Sequence, residues 1–165
     1  MSLGTVLTPI LPHTMDEVYS YLPHHKLESI YLEDMVKPVY YDDANQLIDK
    51  YTKFMAIRND VLKALEEARN NKVIGKSLNA SLYICPNTES LKVINSLNAN
   101  LKQLFIVSKL NIVSELEEGT VFDSGKILVK ACLGLTCARC WQVVDAVDED
   151  GLCPRCAEIV RKLRK

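Results

Sequence analysis

The chain has 165 residues, 48% of them hydrophobic, enough apolar material for one modest core or two small ones. Its 20 basic and 21 acidic side chains leave a net charge of -1. That excludes a polycation gripping nucleic acid over its whole surface, so any such surface is local. No apolar run approaches the roughly 20 residues of a membrane span. Six cysteines without a basic-then-apolar leader fit a reducing, cytoplasmic setting better than a secreted disulfide scaffold.

In chain order, Met1-Ser2-Leu3 reads as a start joined to the middle of something longer and is set aside from the fold. Thr14 and Glu17 have the spacing of a capping box, and Met15, Val18, Tyr19 and Leu22 line one face of the helix it opens, which Pro23 stops. With no apolar partner of its own, this helix reads as a severed piece of a bundle. His13, His24 and His25 fall near helix ends and are assigned no chemistry. Ser29 to Leu32 reads as extended. Asp42 and Asp43 open a long helix to about Val73, with Gly75 as its stop and a core stripe of Leu47, Ile48, Tyr51, Phe54, Met55, Leu62 and Leu65. Arg58 lies on or beside that stripe, where a buried, paired guanidinium is the preferred reading.

Ser77 to Cys85 alternates as a strand does. A helix from about Thr88 carries Leu91, Ile94, Leu97 and Leu101, and strand-like runs follow at 104–113 and 126–132. This predicts a small α/β unit with about three strands. Cys85 and Cys132 fall in apolar runs and read as unreactive thiols. Gly75-Lys76-Ser77 is no phosphate loop, because Asn70 stands where that motif requires its first glycine. Glu66-Glu67 and Glu117-Glu118 read as solvated surface, and no catalytic residues are expected.

The chemistry concentrates at the end. Cys137-Ala-Arg-Cys140 and Cys153-Pro-Arg-Cys156 place two Cys-x-x-Cys pairs twelve residues apart, the spacing of a tetrahedral four-cysteine zinc site. A shell of four thiolates leaves no open position, so one structural zinc per chain is expected, in a small ribbon built from a strand after Trp141 and a turn at Asp150-Gly151. The first pair displays Arg139 and Trp141, the chain's only tryptophan. A guanidinium and an indole beside a rigid metal knuckle suit an unstacked nucleobase, although an indole there is equally compatible with a small core. From Lys126 onward eight basic residues stand against five acidic ones, so this end is the basic part.

Several stretches then carry a family resemblance: Thr8-Pro-Ile-Leu-Pro-His-Thr-Met-Asp-Glu-Val18, Ile57-Arg58-Asn-Asp-Val61, Ala64-Leu-Glu-Glu-Ala-Arg69, Val73-Ile-Gly-Lys-Ser-Leu-Asn-Ala80, Cys137-Ala-Arg-Cys-Trp141 and Leu152-Cys-Pro-Arg-Cys156. In that order they resemble the C-terminal portion of bacterial isoleucyl-tRNA synthetases, class I enzymes that ligate isoleucine to its tRNA with ATP. The resemblance implies an α+β chain: the end of a helical anticodon-binding bundle (1–34), a connector and long helix (35–75), a small α/β junction domain (76–132), and a zinc ribbon with basic tail (133–165). It implies zinc on Cys137, Cys140, Cys153 and Cys156, and contact of Arg139 and Trp141 with the anticodon loop of isoleucine tRNA. Arg155, Arg161 and the basic tail are read, on physical grounds, as phosphate contacts. The family's ATP-binding signatures are absent, so ATP belongs to the parent enzyme, whose remainder is the partner in cis of a monomeric, cytoplasmic, non-catalytic piece. Two other readings are the zinc-finger end of a formamidopyrimidine-type DNA glycosylase, disfavoured by Ser2 where those enzymes have a catalytic proline, and a zinc ribbon that contacts only proteins.

Overall fold

The computed structural model describes residues 2–23 and 27–163, which excludes His24, His25 and the final two basic residues. The fold is mixed helix and sheet in two compact units, residues 1–44 and 45–165.

The first unit holds helices α1 (Ser2–Leu7) and α2 (Pro12–Ser20) and a 3₁₀ turn at Ile30–Leu32. Ser2 and Leu3, set aside on sequence grounds, are thus part of a helix. The Thr14/Glu17 capping box does not form. Helix α2 begins earlier, with Leu11 as N-cap and Pro12 in the first turn, where its missing N–H and fixed φ suit a helix start. Tyr19, 1% exposed, is the anchor: its hydroxyl donates to Glu33 Oε1 at 2.6 Å and accepts the Leu27 N–H at 3.1 Å. Ser29 to Leu32 turns instead of extending. The Ser29 hydroxyl donates to Asp16 Oδ1 while accepting the Tyr31 N–H, which caps the 3₁₀ turn and buries Ile30.

The second unit opens with α3 (Ala44–Asn70). Its end comes before Gly75. Lys72 takes the left-handed conformation (φ 58°) and Val73 N–H returns to the Ala68 carbonyl at 2.9 Å, a closure that usually employs glycine. The buried stripe is also displaced from the expected one. Phe54 and Leu65 are buried as expected, together with Ile57, Val61, Ala64 and Ala68, whereas Leu47, Ile48, Tyr51, Met55 and Leu62 are exposed. Arg58 is half-buried and paired, its Nε donating to the Leu104 carbonyl at 2.9 Å.

Strand β1 (Ala80–Pro86) begins after a 3₁₀ turn at Ser77–Asn79, and its alternate residues Ala80, Leu82 and Ile84 face the core. The single helix expected from Thr88 is two: α4 (Thr88–Ser96), capped by the Asn87 side chain, and α5 (Leu101–Phe105), capped by Asn100. They cross over to β2 (Lys109–Ile112), which lies parallel to β1 as a helical connection requires. The hairpin of β3 (Thr120–Phe122) and β4 (Gly125–Ala131) completes a four-stranded sheet in the order β2-β1-β4-β3. Sequence reasoning missed β3, only three residues long, although Asp123-Ser124-Gly125 is a hairpin signal. Gly125 (φ 136°) permits it: a Cβ there would sit 2.3 Å from the Cys85 carbonyl oxygen. Helix α3, β1, α4, α5 and β4 share one apolar core containing Phe54, Val61, Leu82, Ile94, Phe105 and Ile127.

One charge lies inside that core's edge. Asp60 is 8% exposed, and its Oδ2 accepts the N–H of Ser124 in the hairpin turn at 3.1 Å.

Candidate metal centre and nucleic-acid interface

Beyond β4 the chain makes a two-stranded ribbon, β5 (Leu135–Thr136) paired with β6 (Val143–Val144), and then α6 (Pro154–Leu163). The strand expected to run on from Trp141 is only Val143–Val144. After it, Asp148 organises the turn: its N–H donates to the Leu152 carbonyl and its Oδ1 accepts the Leu152 N–H at 2.8 Å, with Gly151 left-handed at φ 71°. The Ala138 N–H bonds to the Gly151 carbonyl, fastening this turn to the first cysteine pair.

The four cysteines converge. The Sγ atoms of Cys137, Cys140, Cys153 and Cys156 all lie within 4.8 Å of one another, with three of the residues buried and Cys140 half-buried. The Cys140 and Cys153 sulfurs are 3.8 Å apart. A tetrahedron with metal–sulfur bonds of about 2.3 Å has an edge of about 3.8 Å. Donor set and spacing therefore fit a thiolate-bound metal ion, and the four cysteines are positioned to hold one. All six cysteines of the chain are free thiols.

The electrostatics agree. Burial works to raise the Cys137 thiol, but backbone N–H groups of Cys140, Cys153 and Arg139 prevail and lower it to about 6. Burial, reinforced by neighbouring sulfurs, pushes Cys153 up to about 11. Cys156 is also penalised by burial, yet the Arg139 guanidinium, whose Nη1 lies 3.8 Å from its sulfur, brings it below its ordinary value. Four sulfurs this close cannot all be anionic without a cation among them. The Cys156 sulfur, by hydrogen bond and charge, also holds the Arg155 guanidinium above its ordinary value.

Around this centre stand the other singled-out residues. The first pair closes through Cys137 N–H to the Gln142 carbonyl and Trp141 N–H to the Cys137 carbonyl. That closure holds Trp141 at φ 61°, a left-handed conformation that is a genuine outlier for a bulky side chain. The indole is 67% exposed, so it is no core residue. Arg139, Arg155 and Arg161 are exposed, Arg161 in the last turn of α6. Glu66, Glu67, Glu117 and Glu118 are exposed as expected.

A residue that sequence reasoning missed fixes the ribbon to the sheet. The buried Ser108 hydroxyl accepts the Val143 N–H at 2.7 Å and donates to the Leu78 carbonyl at 2.5 Å. Nearby, Lys109 Nζ pairs with Asp145 at 2.7 Å. Nothing local in Ile106-Val-Ser-Lys109 signals a partner 35 residues away.

With the geometry described, comparison with known proteins decides the family. Residues 2–84 match the family described as the anticodon-binding domain of tRNA ligase. The chain belongs to that family. The match starts in α1 and reaches into β1, so it covers the first unit, all of α3 and the entry to the sheet. Similarity to individual relatives extends further. The chain is 45% identical, over 98% of its own length, to isoleucine–tRNA ligases of Bacillus cereus (strain AH820) and Bacillus anthracis (strain A0248) and to isoleucine–tRNA ligase 1 of Bacillus thuringiensis subsp. konkukian (strain 97-27). It spans only 18% of the length of each. The cysteine cluster thus lies outside the family match but within the similarity to these relatives. The glycosylase and protein-contact readings are not favoured by this family membership. Among the described residues no helix is long and apolar enough to cross a membrane.

Proposed function

We propose that this chain is the C-terminal, anticodon-recognising part of an isoleucine–tRNA ligase, contributing tRNA selection to an enzyme whose ATP-dependent ligation is performed elsewhere in the parent protein. The first unit is then the end of a helical bundle, the four-stranded sheet a junction, and the final segment a zinc ribbon. One structural zinc sits on Cys137, Cys140, Cys153 and Cys156, a thiolate-held ion that suits a reducing, cytoplasmic setting. The metal, when bound, supplies rigidity, since four sulfurs leave it no open position.

The observation that carries this reading is Trp141. An exposed indole at a positive φ incurs backbone strain without the return of burial, and strain that persists where it serves no packing points to a function. Stacking on an unpaired base is the chemistry an exposed indole offers. Arg139 donates from its planar fork to a base edge, while Arg155 and Arg161 meet phosphates.

Because Trp141 is the sole tryptophan, its fluorescence reports the contact directly. A stem-loop RNA bearing the isoleucine anticodon is expected to quench it. Trp141→Ala is expected to weaken binding in a filter assay by about 1–3 kcal/mol, the usual worth of one base–aromatic stack. Arg161→Ala should weaken all RNAs alike. Unquenched fluorescence, with no preference for the isoleucine loop over one with an altered anticodon, would sink the proposal.

A further inference from the structure

Beside the ribbon, α5 and the first turn of α6 enclose a groove of about 440 Å³. That lies within the range of small-molecule sites, roughly 300–1,000 Å³. Its walls carry Asn100, Lys102 and Gln103 from α5 and its cap, Gln142 from the ribbon, and Arg155 from α6. No carboxylate lines it, in a chain with 21 acidic residues. Four thiolates around a divalent ion would leave a local excess of two negative charges, which Arg139 and Arg155 stand against. Of the two cations on the groove walls, Lys102 is the one without a sulfur partner. Among the described residues its ammonium makes no ion pair or hydrogen bond, and the side-chain amides of Gln103 and Gln142 likewise lack partners.

The placement is informative as well. Cys140 and Gln142, the residues on either side of Trp141, both line the groove. The Ser108 bond to Val143 and the left-handed Ile106 (φ 58°) that ends α5 hold the two walls in register. Trp141 itself is not part of the lining, so the groove lies one residue away from the indole, within reach of a nucleotide covalently linked to a base stacked there.

We propose that the groove between α5 and the ribbon seats the nucleotide adjoining the base on Trp141, Lys102 meeting its phosphate and the Gln103 and Gln142 amides its sugar or base edge. This rests on the anticodon-loop reading and extends the interface to α5.

The test uses the metal-loaded chain and the same stem-loop RNA. Lys102→Ala is expected to lower affinity at least about tenfold and to reduce the slope of log affinity against log salt by about 0.7, as loss of one phosphate contact on a single strand requires. Lys102→Arg should restore both. Gln103→Ala and Gln142→Ala should each lower affinity about fivefold, the worth of one net hydrogen bond, without moving the salt slope. Quenching of Trp141 at saturation should persist in all of them. A stem-loop carrying one neutral methylphosphonate beside the stacked base should bind wild type and Lys102→Ala equally. If Lys102→Ala binds as wild type with an unchanged slope while Trp141→Ala is impaired, the groove proposal fails and the anticodon reading stands. If wild type neither binds nor is quenched, both fail together.

Discussion

The second unit contains two small cores that are stabilised in different ways. Around the sheet, fifteen buried hydrophobic residues form one cluster, including Phe54, Leu65 and Leu82. In the ribbon only five buried residues cluster, and three of them are cysteines. The first set buries enough apolar area to order its own chain, since each large side chain taken fully from water contributes about 1.5–3 kcal/mol. The second does not, and under the proposed metal centre its order depends on coordination by the four cysteines. On the proposed function, fold and recognition are thereby separated: the sheet supplies a stable base, while the ribbon has little apolar material and leaves Trp141 and the arginines exposed.

Removing the metal tests this contrast most severely. Cys140→Ser, or a strong chelator, is expected to abolish amide protection across 133–163 while β1 and β4 keep theirs, because structural zinc contributes roughly 10–16 kcal/mol to small zinc-finger folds. Loss of protection in β1 and β4 as well would show that the two cores are one. The converse change is smaller. Leu82→Ala, at a position that is 0% exposed, should cost the sheet about 2–5 kcal/mol in urea unfolding. Metal release to a chromogenic chelator below the unfolding transition should be unaltered.

A third substitution divides stability from function inside the ribbon. Trp141→Gly removes a left-handed strain of about 1–2 kcal/mol and little buried area, so metal retention should improve slightly while RNA binding weakens by about 1–3 kcal/mol, as for Trp141→Ala. If that variant loses its metal, the indole is structural. The smallest effect concerns the Lys109–Asp145 pair that bridges sheet and ribbon. The Lys109 ammonium, by hydrogen bond and charge, holds the Asp145 carboxyl below its ordinary value. The pair's contribution is therefore present above the usual carboxylate range and fades as pH falls through the lowered value. In an NMR titration Asp145 should titrate higher in Lys109→Met than in wild type, with no measurable change in unfolding midpoint because both groups are solvated.

How much of this was legible in the sequence follows the same division. The cysteine pairs declare their partner by spacing, because a metal imposes its geometry on whatever chain carries the ligands. The small α/β unit was visible in the order strand, helix, strand, although that order did not by itself declare β2 parallel to β1. Helix ends were less so. The Thr14/Glu17 box lost to Pro12, and Gly75 lost to Lys72, where a backbone closure overrode the residue preference. The stripe of α3 was misread at Leu62 and through most of its first half because periodicity identifies an apolar face but not what covers it: Ile48 is 64% exposed. Ser108 was invisible for a different reason, since its two partners lie 30 and 35 residues away.

The buried carboxylate of Asp60 has a consequence for which structures the chain can avoid. A helix packed on a sheet through Ile, Val, Ala and Leu can slide by one turn and still bury an apolar face. Asp60 penalises that error. In the native register its Oδ2 receives the Ser124 N–H and its Oδ1 pairs with Lys63 Nζ on the same helix, so a shift of one turn, about 5.4 Å, would carry the carboxylate away from the Ser124 donor though not from Lys63. Losing that backbone hydrogen bond to a buried charged acceptor costs about 1.5–3 kcal/mol, a bias against the misalignment. Asp60 thus bears on where α3 is held as well as on how strongly, and the β3–β4 turn acts as a gauge that favours the native docking of the helix.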